Sequence, residues 1–266
     1  MQALTAPALY SPHGGGPLPL LGDAGHTRLI KFLSAVTQHF ATPAAILVIS
    51  AHWEEPVPTI QRNADPGLLY DYYGFPPPSY DLQYPAPGAI ALADRLLELL
   101  TEAGIAAQVD ATRGFDHGAF VPLSLMYPAA RVPCLQLSLR ADLHPVEHIQ
   151  LGRALAPLRH ENVLVLGSGS SFHNMQAFKD GDTGVEACAA FDQWLSETCC
   201  GADMQATADA LADWQAAPHA RYAHPREEHL LPLHVCFGTA LPGGTTGERI
   251  FAGDVMGYPM SAFLWS

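Results

Sequence analysis

Five of the thirteen histidines stand where an apolar run meets glycine or proline. His13 lies in Tyr10-Ser-Pro-His-Gly-Gly-Gly16, His52 closes Ile46-Leu-Val-Ile-Ser-Ala-His52, and His117 lies in Gly114-Phe-Asp-His-Gly118. His173 follows Gly167-Ser-Gly-Ser-Ser-Phe, and His229 closes Pro225-Arg-Glu-Glu-His229. Loop mouths on rigid elements are where α/β proteins place chemistry. Imidazole binds first-row metals and also moves protons near neutral pH. Several such residues, spread along the chain, point to one converging metal site.

A lone histidine is more often structural than functional, so the setting of each one matters. His52 ends a run that suits a strand buried on both faces, and the crevice beyond the carboxyl ends of such strands holds ligands. His173 follows a second buried strand through a Gly-Ser loop. That loop lacks the Walker lysine and the G-x-G-x-x-G spacing of a phosphate cradle. Gly14 to Gly16 either let the backbone approach a ligand or make a plain turn. Asp116 either orients His117 or caps a helix, and proton transfer suits His117 better than ligation. Glu227 and Glu228 beside His229 are alternative ligands, or acids favoured at a helix start. The chain has no H-E-x-x-H and no C-x-x-C, so the common zinc-protease and zinc-finger patterns are absent. Gly167-Ser-Gly-Ser-Ser171 is out of register with the G-x-S-x-G nucleophile elbow.

Holding these residues together requires regular elements. Period and composition predict strands over 6–10, 45–50, 59–61, 106–109, 132–139, 163–166 and 254–264. Helices are expected over 27–40, 89–103, 120–126, 145–158, 185–198, 204–214 and 230–240. The alternation predicts a single-domain α/β layered sandwich, with a central, mostly parallel mixed sheet flanked by helices on both faces. No repeat or linker is seen, so residues 1–266 are taken as one domain. Residues 65–87 form a long loop rich in Tyr, Pro and Gly, whose aromatics suit either a substrate wall or simple packing; Tyr72 and Phe75 are the substrate-binding candidates.

The composition narrows the partners. A formal net charge of −13 with no basic run argues against nucleic acid and anionic membrane. Five cysteines without a paired spacing suit buried thiols in a reducing compartment. No signal peptide and no bilayer-length apolar run is seen, so a cytoplasmic location is expected. A homo-oligomer is compatible with all of this.

Taken in order, the segments Pro12-His-Gly14, Ser50-Ala-His-Trp53, Tyr84-Pro-Ala-Pro-Gly88, Gly114-Phe-Asp-His-Gly118, Met126-Tyr-Pro128, Gln136-Leu-Ser138, Gly167-Ser-Gly169 with His173-Asn174, and Glu228-His-Leu-Leu-Pro-Leu233 resemble one family closely. It is the class III extradiol ring-cleavage dioxygenases, in the DOPA 4,5-dioxygenase-like branch. The resemblance implies a nonhaem metal held by His13, His52 and His229, with Glu228 as a neighbouring ligand candidate. It implies His173 as the acid/base residue and His117 as a histidine lining the pocket. Fe(II) is expected for activity and Zn(II) can fill the same site without redox chemistry. The implied partners are a small aromatic diol and O2. One departure is Gly15-Gly16, where many relatives continue with Ser-Pro; it is expected to widen or loosen the first loop. A zinc-dependent hydrolase and a non-catalytic metal-binding protein are the competing uses of the same pocket.

Overall fold

The computed structural model describes residues 5–181 and 184–266. Its strands are β1 (Ala8–Pro12), β2 (Ala45–Glu55), β3 (Thr59–Gln61), β4 (Gln108–Asp110), β5 (Cys134–Arg140), β6 (Val163–Gly169), β7 (Glu248–Val255) and β8 (Tyr258–Trp265). Among the described residues they form one eight-stranded sheet in the order β4-β3-β5-β2-β6-β1-β8-β7. The centre, β5-β2-β6-β1, is parallel, and β8 and β7 extend it antiparallel. The helices are α1 (Thr27–Val36), α2 (Ile90–Glu102), α3 (His117–Met126), α4 (Pro145–Leu155), α5 (Pro157–His160), α6 (Met175–Asp180), α7 (Val185–Cys199), α8 (Met204–Ala212), α9 (Ala220–Ala223) and α10 (Leu231–Ala240).

The central strands read as continuous Val, Ile and Leu because helices cover both faces of the sheet, so neither face needs polar residues. Ile46 to Ile49 and Leu164 to Leu166 are fully buried. On one face, α1 buries Leu29, Leu33 and Val36, at i, i+4 and i+7, and packs with α3. On the other, α10 lies on β6, β1 and β2 with α4 behind it. Every residue of α10 is buried, which explains its lack of an amphipathic pattern.

Several expected boundaries move. β2 does not stop at Ser50 but runs to Glu55, and its pairing with β5 shifts register between Ile49 and Glu54. His52 therefore sits in a bulged continuation, not at the strand's end. Such bulges bend a strand and re-aim its side chains. β6 likewise continues past Leu166 to Gly169. α3 begins at His117, which puts Pro122 inside the helix and not in its first turn. The terminal stretch expected as one strand is a hairpin of β7 and β8, turning at Met256-Gly257. α6 had no counterpart in the expected elements.

Candidate metal centre

Parallel register brings the loop mouths to one level. Pro12 pairs with Gly169, and Ser50 with Ser168. The carboxyl ends of β1 and β6 and the bulged stretch of β2 therefore lie side by side, with His13 and His173 just beyond β1 and β6 and His52 within the β2 bulge. This is the crevice at the carboxyl ends of parallel strands. His229 arrives from the other direction, just before α10. Its carbonyl oxygen accepts from Ser170 N at 3.0 Å and from Tyr10 Oη at 2.9 Å. A Cβ at Gly169 would collide with that carbonyl oxygen, so only glycine lets the α10 approach pass so close to β6. His117 enters as the first residue of α3, whose cap is the buried Asp116. Its carboxylate accepts from Ala119 N at 3.1 Å, Ser50 Oγ at 2.7 Å, Arg113 at 2.9 Å and Gln136 Nε2 at 2.6 Å.

All five histidines line one cavity of about 300 Å3. The ring centroids of His13, His52 and His229 form a near-equilateral triangle, with sides of 4.9, 5.0 and 5.3 Å. A metal–nitrogen bond of about 2.1 Å puts an imidazole centroid about 3.2 Å from the ion, so two ligands about 90° to 109° apart have centroids about 4.5 to 5.2 Å apart. The triangle matches. His117 lies only 3.8 Å from His52, and His173 stacks on His229 at 3.4 Å. Those separations are too short for both rings of a pair to ligate one ion. Donor atoms also cluster as His13, His52 and His117, and as His173, Glu228 and His229. The centroid distances favour one ring from each close pair, together with His13.

Hydrogen bonds set the ring orientations. The Ser168 hydroxyl donates to the Gly118 carbonyl, so its oxygen accepts from His13 Nδ1 at 3.0 Å and leaves the Nε2 lone pair bare. His13 Nε2 faces His52 Nε2 at 3.1 Å. Two such lone pairs can share a proton or face a cation, which is the donor chemistry a metal needs. Glu228 Oε1 accepts from His229 Nδ1 at 2.9 Å and lies 3.3 Å from His173 Nδ1. Asp71 accepts from His117 Nδ1 at 2.8 Å and lies 3.8 Å from His52 Nδ1. Each carboxylate thus serves both rings of one close pair, Glu228 that of His229 and His173 and Asp71 that of His117 and His52. Burial, then His52, holds His13 well below the usual imidazole range, and burial, then His173, does the same to His229. Burial, then His117, lowers His52 to about 4. These three rings are neutral near pH 7, as ligands must be. Burial raises the Glu228 carboxyl, but His173, its own backbone N–H and Arg226 outweigh it and hold the group below its ordinary value.

Tyr72 and Phe75, the substrate-binding candidates, both line the cavity. The carboxylate that orients His117 is Asp71, not Asp116. Asp71 and Ser168 were missed; the one available signal was an acid set among the aromatics of the 65–87 loop. The first loop is not loose. Gly15 N donates to His26 Nε2 at 3.0 Å, and His26 is itself fixed by Asp23 at 2.7 Å. His224 is buried and meets the Ser171 carbonyl through Nε2 at 3.1 Å.

A histidine-rich metal centre at the carboxyl end of a parallel sheet, opening into an aromatic-lined cavity, defines a class of metal-dependent α/β enzyme. Residues 10–257 match the family described as the catalytic LigB subunit of aromatic ring-opening dioxygenase. The chain is 40% identical over 230 residues to a 4,5-DOPA dioxygenase extradiol of Beta vulgaris, covering 85% of this chain and 84% of the relative. It is 37% identical over 279 residues to Dioxygenase tasH of Hapsidospora irregularis, covering 98% and 85%. The crystal structure of an uncharacterized Escherichia coli protein superposes with a TM-score of 0.78 at 28% identity, covering 98% of this chain and all of the other. The chain belongs to the LigB family and is an aromatic ring-opening dioxygenase of the extradiol class. Enzymes of this family depend on a metal. Among the described residues no helix is long and apolar enough to cross a membrane.

Proposed function

We propose that residues 1–266 act as one catalytic domain that opens the ring of a DOPA-like or otherwise substituted catechol at an Fe(II) centre held by His13, His52 and His229. The observation that carries this reading is the centroid triangle, with two further histidines packed on its rim. When bound, ferrous iron supplies a redox-active Lewis acid with positions for both the diol and dioxygen; zinc at the same ligands supplies no redox chemistry. A zinc hydrolase or an inert metal binder is disfavoured by the family to which the chain belongs.

In this reading His173 is the acid/base residue. With Nδ1 held by Glu228, its Nε2 takes a phenolic proton as the diol binds. The adjacent carboxylate balances the resulting charge until the proton is returned to the opening ring. His117, anchored to Asp71 through both Nδ1 and its backbone N–H, keeps Nε2 for a substrate oxygen. Tyr72 and Phe75 bound the ring, with their own rings packed edge to face at 5.4 Å. A cytoplasmic location is supported by five unpaired cysteines, four of them buried.

The test is iron reconstitution without oxygen, followed by a catechol panel read by oxygen uptake and by the absorbance of the ring-opened product. His173→Ala should keep its metal and lose turnover by about 10²–10⁴-fold, the usual worth of general acid–base help. Loss of bound metal from that variant, or unchanged turnover, would remove the acid/base assignment.

A further inference from the structure

The cavity is polar at one end only. Beyond the histidines, Ser170 and Tyr72, whose hydroxyl is committed to the Ser79 carbonyl at 2.6 Å, its walls are apolar, and among the described lining residues none is Lys, Arg, Asp, Glu, Asn or Gln. One wall is Phe172, Met175 and Phe178. The aromatic pair is held rigidly, Phe172 stacked on Tyr258 at 4.5 Å and Phe178 edge-on to it at 5.4 Å. The other wall comes from the β7–β8 hairpin, through Val255, Met256 and Met260.

Met256 occupies a costly position. It is the first turn residue of a two-residue hairpin loop, with φ +55°, where Asn, Asp or Gly is the usual choice. A methionine kept in the left-handed region calls for a reason beyond the turn, and its side chain reaches the cavity. The glycines after His13 make room for it. A Cβ at Gly15 would lie 3.0 Å from Met256 Sδ, and one at Gly16, where φ is +56°, would lie 2.9 Å from Phe75 Cζ. Glycine at both positions thus admits two apolar side chains to the wall.

The nearby cations are committed elsewhere. Arg113 bonds Asp116 and stacks on Trp53 at 4.4 Å. Arg226 grips Glu54 with both terminal nitrogens. Lys179 follows Phe178 in α6, but it is exposed and off the lining.

Resting on the ring-cleavage reading above, we propose that the substrate is a catechol whose ring substituent is uncharged and apolar, and that the site discriminates against catechols bearing an amino-acid side chain. A carboxylate or ammonium pressed against these walls would lose water and gain no partner. Each methylene buried there gains about fourfold in affinity. Methionines suit such a wall because they adapt to substituents of varied shape.

The experiment is calorimetric binding to the Fe(II)-loaded protein without oxygen, followed by oxygen uptake. The ligands are 4-methyl-, 4-ethyl- and 4-propylcatechol, 3-(3,4-dihydroxyphenyl)propionate and DOPA. Affinity should rise about threefold to fourfold per methylene along the alkyl series. DOPA and the propionate should bind at least tenfold more weakly than 4-propylcatechol, and kcat/KM should follow the same order. Met256→Lys should narrow the gap between the propionate and 4-propylcatechol, and Lys179→Ala should leave it unchanged. DOPA binding as tightly as 4-propylcatechol, or depending on Lys179, would overturn the apolar preference and leave ring cleavage standing. Failure of every catechol to bind would overturn both.

Discussion

Glu228 is the sharpest place to test how the centre is built. It is 12% exposed, and one of its oxygens serves two rings, His229 at 2.9 Å and His173 at 3.3 Å. Glu228→Gln keeps the shape and one acceptor but removes the charge. A hydrogen bond to a charged group is worth about 1.5–3 kcal/mol and a neutral one about 1 kcal/mol, so the change weakens each ring's anchor by roughly 1 kcal/mol. The two together come to about 2 kcal/mol. Losses of this kind at the partners of metal ligands commonly cost about 10–100-fold in metal affinity or activity.

Two readouts separate the roles. Chelator competition should show Zn(II) and Fe(II) binding about tenfold or more weaker in Glu228→Gln, because His229 loses its orienting charge. At saturating iron kcat should still fall about tenfold, because His173 loses the counter-charge that supports its proton uptake, while KM changes little. Glu227→Gln is the control. Glu227 pairs with Arg221 at 2.7 Å and touches neither ring, so both quantities should stay near wild type. Metal affinity and kcat both within about twofold of wild type in Glu228→Gln would refute the claim that this carboxylate organises the centre.

Ser168→Ala leaves His13 Nδ1 and the Gly118 carbonyl without their buried partner; about 1–3 kcal/mol of stability and a measurable part of the metal affinity should be lost, read by urea unfolding and chelator competition. Gly169→Ala should be worse, because its Cβ would displace the His229 backbone; metal-deficient or insoluble protein is expected, and a folded variant with full metal content would contradict the close packing of α10 on β6. Acid should unfold the metal-free protein early. Burial lowers His148 and His234 to about 4 and His224 to about 3, so the unfolded chain takes up protons below about pH 6.5 while the folded one does not. Stability therefore falls as pH drops from about 6.5 towards 4, at up to roughly 4 kcal/mol per pH unit if all three contribute. Urea midpoints at pH 7, 6 and 5 that do not move would exclude this.

What could be seen in the sequence, and what could not, follows from the range of the forces involved. The five histidines were visible because glycine, proline and buried strands flank them, and those are local signals. Thr59–Gln61 and the apolar runs of β2 and β6 were visible for the same reason. Local signals failed where neighbouring strands impose order on poor strand formers. Ser168 and Gly169 have weak strand preference, yet β6 extends through them because β1 pairs along Ser11 and Pro12 and β2 pairs along Ser50. That extension places Ser168 under His13. The hairpin was hidden by Gly253, Asp254 and a methionine in a turn that normally takes asparagine.

Asp71 shows the limit most plainly. It lies 46 residues from His117, in a loop without period, and nothing in its neighbours says which ring it will meet. Its place is fixed from elsewhere: the backbone bonds between Leu69 N and the Phe115 carbonyl and between Phe115 N and the Gly67 carbonyl dock the aromatic loop beside the start of α3. Burial alone would raise the Asp71 carboxyl, and it is the bonds from His117 that bring it below its ordinary value, so carboxylate and ring depend on each other. A pair of that kind is specified by the folded arrangement as a whole. Chemistry-bearing residues at loop mouths can therefore be read from a single chain, whereas the groups that orient them emerge only when the sheet has brought the loops together.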